Sequence, residues 1–188
     1  MDINLRIATN VSSLRKSLRL SLEALAEKCQ VSRSMISLIE RGQSSPTAVV
    51  LEKLATGLGV PLSTLFDGPA DEGGHLLRAA DQLQWRDPQS GYVRRNVSPA
   101  AESAAAQVVD VQFPAGASVA FETSTRDVRV DQQVWILAGR MEIQVGSQVY
   151  QLEAGDCLGF QLDKPTRFHN PGNEHARYAV IIVTDNHR

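Results

Sequence analysis

Only two cysteines occur in the 188 residues, Cys29 and Cys157, far apart in the chain. In a reducing compartment both are free thiols. No apolar run approaches the roughly 20 residues that a membrane span needs. The opening, MDINLRIATN, lacks the basic-then-apolar pattern of a signal peptide. The expected compartment is therefore the cytoplasm, with no membrane partner. Neither sign of charge dominates: the formal net charge is −2, which by itself argues against a nucleic-acid binder. No Ser-His-Asp or Cys-His set and no glycine-rich phosphate loop is present.

The distribution of charge says more than its total. Residues 1–68 hold 8 basic and 6 acidic residues, and the remainder holds 11 and 15. A mild positive excess suffices for phosphate contact when it gathers on one face.

The two parts also differ in period. In the first 66 residues apolar positions recur at three and four: Leu22, Leu25, Ala26, Cys29; then Ile36, Ile39; then Val50, Leu51, Leu54, Leu58. That spacing is helical. Ser21 and Ser32 are placed to cap two helices, Gly42 to end the second, and Pro46-Thr47 to start the next. Pro61 opens a short fifth helix, PLSTLF. From about residue 75, β-branched and aromatic residues alternate with polar ones in AAQVVDVQF, QQVWILAG, RMEIQV, QVYQL and ARYAVIIVT. The turn-forming stretches PAGA, GS, EAGD and NPGN separate such runs. Many short strands at regular spacing indicate a sandwich or barrel. The predicted fold is α+β in two domains: residues 1–66 helical, 67–75 a linker, 76–188 a β-barrel. SPAAESAAAQ reads as a loop running into a strand.

The stretch SLEALAEKCQVSRSMISLIERG fits a helix-turn-helix. Ala26 is the small residue where the second helix crosses the first, and Gln30-Val31-Ser32 makes the corner. The second helix must bury Ile36 and Ile39 while Arg33, Ser34 and Ser37 point outward. This text, with LEKLATGLGVPLSTLF after it, strongly resembles the Cro/CI-type, or XRE, family of regulators over residues 8–66. The resemblance implies a DNA-binding regulator. It implies base contacts from Ser32, Arg33, Ser34 and Leu38, with Arg33 on guanine O6 and N7 and Leu38 on a thymine methyl. It implies phosphate contacts from Ser37, Ser44, Ser45 and Thr47. Turn and cap chemistry is the alternative for Ser44, Ser45 and Thr47, and Thr47 suits both roles. Arg15 and Glu40 match an internal ion pair. Leu22 departs from the family pattern, where a polar phosphate binder, often Gln, is usual.

The text QQVWILAGRMEIQVGSQVYQLEAGDCLGF…KPTRFHNPG…ARYAVII resembles the cupin family over residues 104–184, a double-stranded jelly-roll β-barrel. Enzymatic cupins hold a transition metal through three His and a Glu. Here Gln132 stands for the Glu, Thr125 to Val128 hold no His, and Thr166 replaces the last His. His169 lies an odd number of residues from Thr166 and so on the other face. No metal and no cofactor are expected, and no enzymatic activity. Gln132, Val134, Ile136, Thr166 and Phe168 share one parity; they line an effector pocket or fill a packed core. Trp85 and Trp135 are expected to pack, Cys157 to be a small buried residue, and Asp156 to serve a turn. The two resemblances together imply a sequence-specific regulator of double-stranded DNA. One recognition helix covers few base pairs, so a homodimer is expected, paired through the barrel, with a possible small-molecule effector. The alternatives are a cupin enzyme with a DNA-binding appendage and a dimeric DNA-binding protein with no effector.

Overall fold

The structure is a computed structural model and describes residues 2–68, 76–99, 106–122 and 129–184. It divides into two compact units, Met1–Pro69 and Ala70–Arg188. Most of the expected linker, residues 69–74, lies outside the described residues, as do Thr125 to Val128, His75, His187 and residues 100–105 of the alanine-rich loop.

The first unit holds α1 (Ile3–Ser17), α2 (Leu22–Cys29), α3 (Arg33–Glu40) and α4 (Ala48–Gly57). Each cap is a short polar side chain that satisfies an orphan N–H of the first turn. Ser21 Oγ accepts from Ala24 N at 3.0 Å, Ser32 Oγ from Met35 N at 3.2 Å and Thr47 Oγ1 from Val50 N at 3.4 Å. The core gathers the expected stripes: Leu25, Ile36, Ile39, Leu51 and Leu54 are buried, with Ile7 and Val11 from α1. Gly57 sits where α4 meets α2, since a Cβ there would lie 2.7 Å from Cys29 Cβ.

The fifth helix is corrected to a 3-10 turn, Leu62–Phe66. Its five residues, bounded by Pro61 and Asp67, close only i→i+3 bonds such as Thr64 N to Pro61 O at 3.1 Å. Asn10 of α1 donates Nδ2 to the carbonyls of Leu65 at 3.1 Å and Asp67 at 2.9 Å, which pins the turn to α1.

Gln30, at the corner of the helix-turn-helix, adopts φ 53°. A side chain in the left-handed region costs about 1 kcal/mol. Gln30→Gly is expected to raise stability by roughly 0.5–1 kcal/mol in a denaturant melt. A destabilised variant would show that Gln30 makes a compensating contact.

The second unit is two antiparallel sheets rather than one closed barrel. One has six strands in the order β1 (Gln84–Arg86), β2 (Val93–Asn96), β3 (Ala106–Phe113), β10 (Ala176–Thr184), β5 (Val130–Ala138), β8 (Cys157–Gln161). The other has β4 (Ser118–Phe121), β9 (Thr166–His169), β6 (Arg140–Val145) and β7 (Gln148–Glu153). No hydrogen-bonded ladder joins the two sheets among the described residues. They pack face to face through aromatics: Phe168 of β9 stacks on Tyr178 of β10, with centroids 6.0 Å apart. Alternation decides what faces inward. One register row runs Trp85, Arg94, Val111, Tyr178, Ile136, all buried. The adjacent outward row runs Gln84, Arg95, Asp110, Ala179, Trp135, Cys157 across all six strands.

Two expectations fail on that outward row. Trp85 is buried as expected, but Trp135 is 47% exposed. Cys157 is also exposed, not buried. Both follow from parity: Val134, Ile136 and Leu158 turn inward, so their neighbours turn out.

Candidate functional site

Recognition of DNA by a helix-turn-helix depends on the first turn of its second helix standing clear of the core. In α3, Ile36 and Ile39 are buried, while Ser32, Arg33 and Ser34 are exposed and Ser37 and Leu38 are half-buried. The amphipathic pattern thus fixes the roll of the helix. Its end is fixed by Gly42, with φ 66°, whose N–H bonds Ile39 O at 2.9 Å. A Cβ on Gly42 would come within 2.9 Å of Leu5, so only glycine fits without a shift.

The hydroxyls have definite partners. Ser32 Oγ lies 3.2 Å from Ser34 Oγ in addition to capping the helix. Ser44 Oγ donates to Met35 Sδ at 3.7 Å, Thr47 caps α4, and Ser45 is exposed. The Arg33 guanidinium reaches across the turn to Glu23, Nε to Oε1 at 2.5 Å.

Behind this surface, Arg15 and Glu40 form the expected pair. Nε meets Oε1 at 2.6 Å and Nη2 meets Oε2 at 2.8 Å, a planar two-bond contact. Nη1 donates to Leu20 O at 2.8 Å, so one guanidinium ties α1 to α3 and to the chain entering α2. The hydrogen bond to Glu40 raises the Arg15 pKa above its usual value.

In the second unit Val134, Ile136, Thr166 and Phe168 are buried and Gln132 is half-buried, all on inward positions. Sequence reasoning missed further polar groups inside this sandwich. Arg94 is 6% exposed, with Nη2 3.4 Å from Asn96 Oδ1. Tyr92 and Tyr178 are buried; burial pushes the Tyr92 hydroxyl up to about 12 and that of Tyr178 well above its usual range. The Arg94 charge acts in the opposite direction on both. A surface groove of about 390 Å³ opens elsewhere, beside Gly139, Arg140, Glu153, Asn170 and Gly172.

His169 faces away from Thr166, and its Nδ1 donates to Ala117 O at 3.0 Å. Among the described residues no three of His, Cys, Asp and Glu gather as a metal site.

The helix-turn-helix family matches residues 11–65, and the cupin domain family matches residues 110–183. The chain is 27% identical over 176 residues to the HTH-type transcriptional regulator SutR of Escherichia coli (strain K12), covering 94% of this chain and 93% of that protein. It is 39% identical over 66 residues to Control protein C.MunI of Mycoplasma sp, covering 35% of this chain and 89% of that one. A crystal structure of an HTH_3 family transcriptional regulator from Vibrio cholerae superposes with a TM-score of 0.76 at 26% identity, covering 96% of each chain. The chain is an XRE-type helix-turn-helix transcriptional regulator with a cupin domain.

The regulator thus carries a DNA-binding helix-turn-helix, whose second helix is α3. None of its described helices is long and apolar enough to cross a membrane. Glu23 is the residue of this surface that the sequence pattern did not single out. Its signal was available: it lies in the first turn of the capped α2, about two helical turns before the corner that presents Arg33.

Proposed function

We propose that the regulator reads an operator as a homodimer and that its cupin domain senses a small molecule rather than catalysing a reaction. The observation that carries the DNA reading is the exposure of Arg33, 65% for its side chain, at the first turn of an α3 whose apolar side is fully packed. Ser32, Arg33, Ser34 and Leu38 face base edges in this reading; Ser37, Ser44, Ser45 and Thr47 meet phosphates. Arg33 supplies a planar fork that matches guanine O6 and N7. The cap at Thr47 does not conflict with a phosphate role, because its hydroxyl oxygen accepts from Val50 N and its proton remains to donate.

The effector reading rests on polar groups held among apolar ones. Gln132 and Thr166 face inward beside Val134, Ile136 and Phe168. Buried amides and hydroxyls fix the orientation of a ligand in a largely apolar site. The same two residues are weak ligands for first-row transition metals, which supports a role without metal chemistry. An effector bound there would bias the spacing of the two reading helices only as far as it prefers one spacing.

The dimer reading rests on the outer face of the six-stranded sheet. Trp135 stands on it beside Ala179, with Val108, Ile181, Gln133 and Gly159 in the next row. At one side Asp110 joins Arg95 at 2.6 Å and Arg177 at 2.8 Å. An exposed tryptophan among small and apolar neighbours, rimmed by polar and charged groups, is a common anchor of an interface. The occupant proposed is a second copy, because one recognition helix covers only a few base pairs and two half-sites lie about 34 Å apart.

Sequencing of DNA fragments retained by the protein supplies the operator. On it, Arg33→Ala is expected to weaken binding by about 1–3 kcal/mol and to relax preference at one base pair, with an unchanged thermal melt. Unchanged operator affinity would overturn the assigned reading face.

A further inference from the structure

Glu23 lies in the first turn of α2 and Arg33 opens α3, on the two sides of the helix-turn-helix corner. Their contact, Oε1 to Nε at 2.5 Å, joins side chains that are 66% and 65% exposed. An ion pair this exposed adds little to folding. Its position suggests another use.

An arginine side chain has four rotatable bonds and loses that freedom when it docks on a base. A partner that holds the guanidinium before DNA arrives removes part of the loss and selects one presentation of the fork. The carboxylate contact is at Nε, the inner edge of the guanidinium. The outer N–H groups on Nη1 and Nη2 then remain for two acceptors side by side, which is the pattern of guanine O6 and N7. The same carboxylate has a second effect. It places a negative charge on the face that approaches the phosphates, in a part of the chain with only 8 basic against 6 acidic residues. Sequence-independent binding is electrostatic, so this charge weakens it.

We propose that Glu23 is a positioning residue for base readout: it presents the outer edge of the Arg33 guanidinium to the base and suppresses binding to other sequences. This rests on the reading that Arg33 meets a base. In the bound state Glu23 stays on Nε while the outer edge of the guanidinium engages the guanine. A neutral residue at position 23 leaves Arg33 free to meet phosphates as readily as bases.

The test uses the full-length chain, the operator duplex, and duplexes in which each base pair of a half-site is changed in turn, over a series of salt concentrations. Glu23→Gln and Glu23→Ala are each expected to lower discrimination at the Arg33 base pair about 3–10-fold, part of the discrimination that one bidentate contact supplies. Both are expected to tighten binding to an unrelated duplex several-fold and to steepen its salt dependence by up to about one phosphate contact. In an Arg33→Ala background, Glu23→Gln is expected to change the unrelated-duplex affinity alone. Thermal melts control for folding and are expected to shift by no more than a few degrees, because both side chains are exposed and Glu23 adds only its interaction with the N-terminal end of α2. Unchanged discrimination in the Glu23 variants, with discrimination lost in Arg33→Ala, would overturn the role of Glu23 and leave the reading face standing. Unchanged operator binding in Arg33→Ala would overturn the reading face and the role of Glu23 with it.

Discussion

In the proposed homodimer, Trp135→Glu is expected to separate the two copies and to weaken operator binding by at least 100-fold. The side chain stands on the outer face of β5, 47% exposed, in a row with Ala179 and Cys157. The neighbouring row carries Val108, Ile181, Gln133 and Gly159. Between two copies related by a two-fold axis, each substitution acts twice. Truncating a central aromatic anchor typically costs 2 kcal/mol or more, so the pair costs about 4 kcal/mol, close to a thousand-fold in the dimer dissociation constant. The two added carboxylates increase this cost, since each must lose water on a face whose cations Arg95 and Arg177 are already paired with Asp110. A monomer presents one α3 to one half-site and forfeits the second, which is where the loss of operator affinity arises. Sedimentation equilibrium measures the first effect and operator titration the second. The circular dichroism of the variant is expected to match the parent, because the residue packs against nothing inside the sandwich. A variant that remains dimeric at the same concentration would place the interface elsewhere.

What the sequence disclosed and what it hid divides along local and non-local chemistry. The caps at Ser21, Ser32 and Thr47 were legible because a cap is settled within four residues. The longer strands β3, β5, β6, β7 and β10 were legible because their alternation is sustained over six or more residues. Gln84–Arg86 and Val93–Asn96 form the edge of the sheet and were not expected; three or four residues rich in charge show no period. Arg94 turns inward only because Trp85 and Val111 pair with it in register, a fact of tertiary pairing. Exposure of Trp135 and Cys157 was different, because the signal was present. The parity that turns Val134 and Ile136 inward turns Trp135 outward, yet residue type suggested burial for both. In an isolated strand residue type and parity disagree, and parity decides. The fifth helix failed for another reason: five residues after a proline satisfy the helical spacing, but Asn10 takes the carbonyls that a longer helix would use.

Glu40→Ala is expected to destabilise the helical unit by about 2–3 kcal/mol, somewhat less than breaking a fully buried pair because this one is part-buried. Glu40 is the last residue of α3, where a carboxylate faces the negative end of the helix dipole. It is held there by Arg15 through bonds of 2.6 and 2.8 Å, and the two side chains are only 13% and 11% exposed. Alanine leaves the guanidinium shielded from water with Leu20 O as its remaining hydrogen-bond partner among the contacts described above. For a unit of this size the melting temperature then falls by roughly 10–20 °C. Operator affinity falls as well, because Arg15 no longer braces α3 against α1, but it falls through position and not through a lost DNA contact. Arg33→Ala is expected to give the contrasting pattern, with full stability and lost readout. A second variant separates the two causes within Glu40→Ala. Arg15→Met combined with Glu40→Leu removes both charges and keeps apolar volume, so it is expected to recover much of the stability. Thermal melts and operator titrations on the three variants measure both quantities. Parental stability with abolished DNA binding in Glu40→Ala would mean that the carboxylate faces DNA, and the structural role given to the Arg15–Glu40 pair would be wrong.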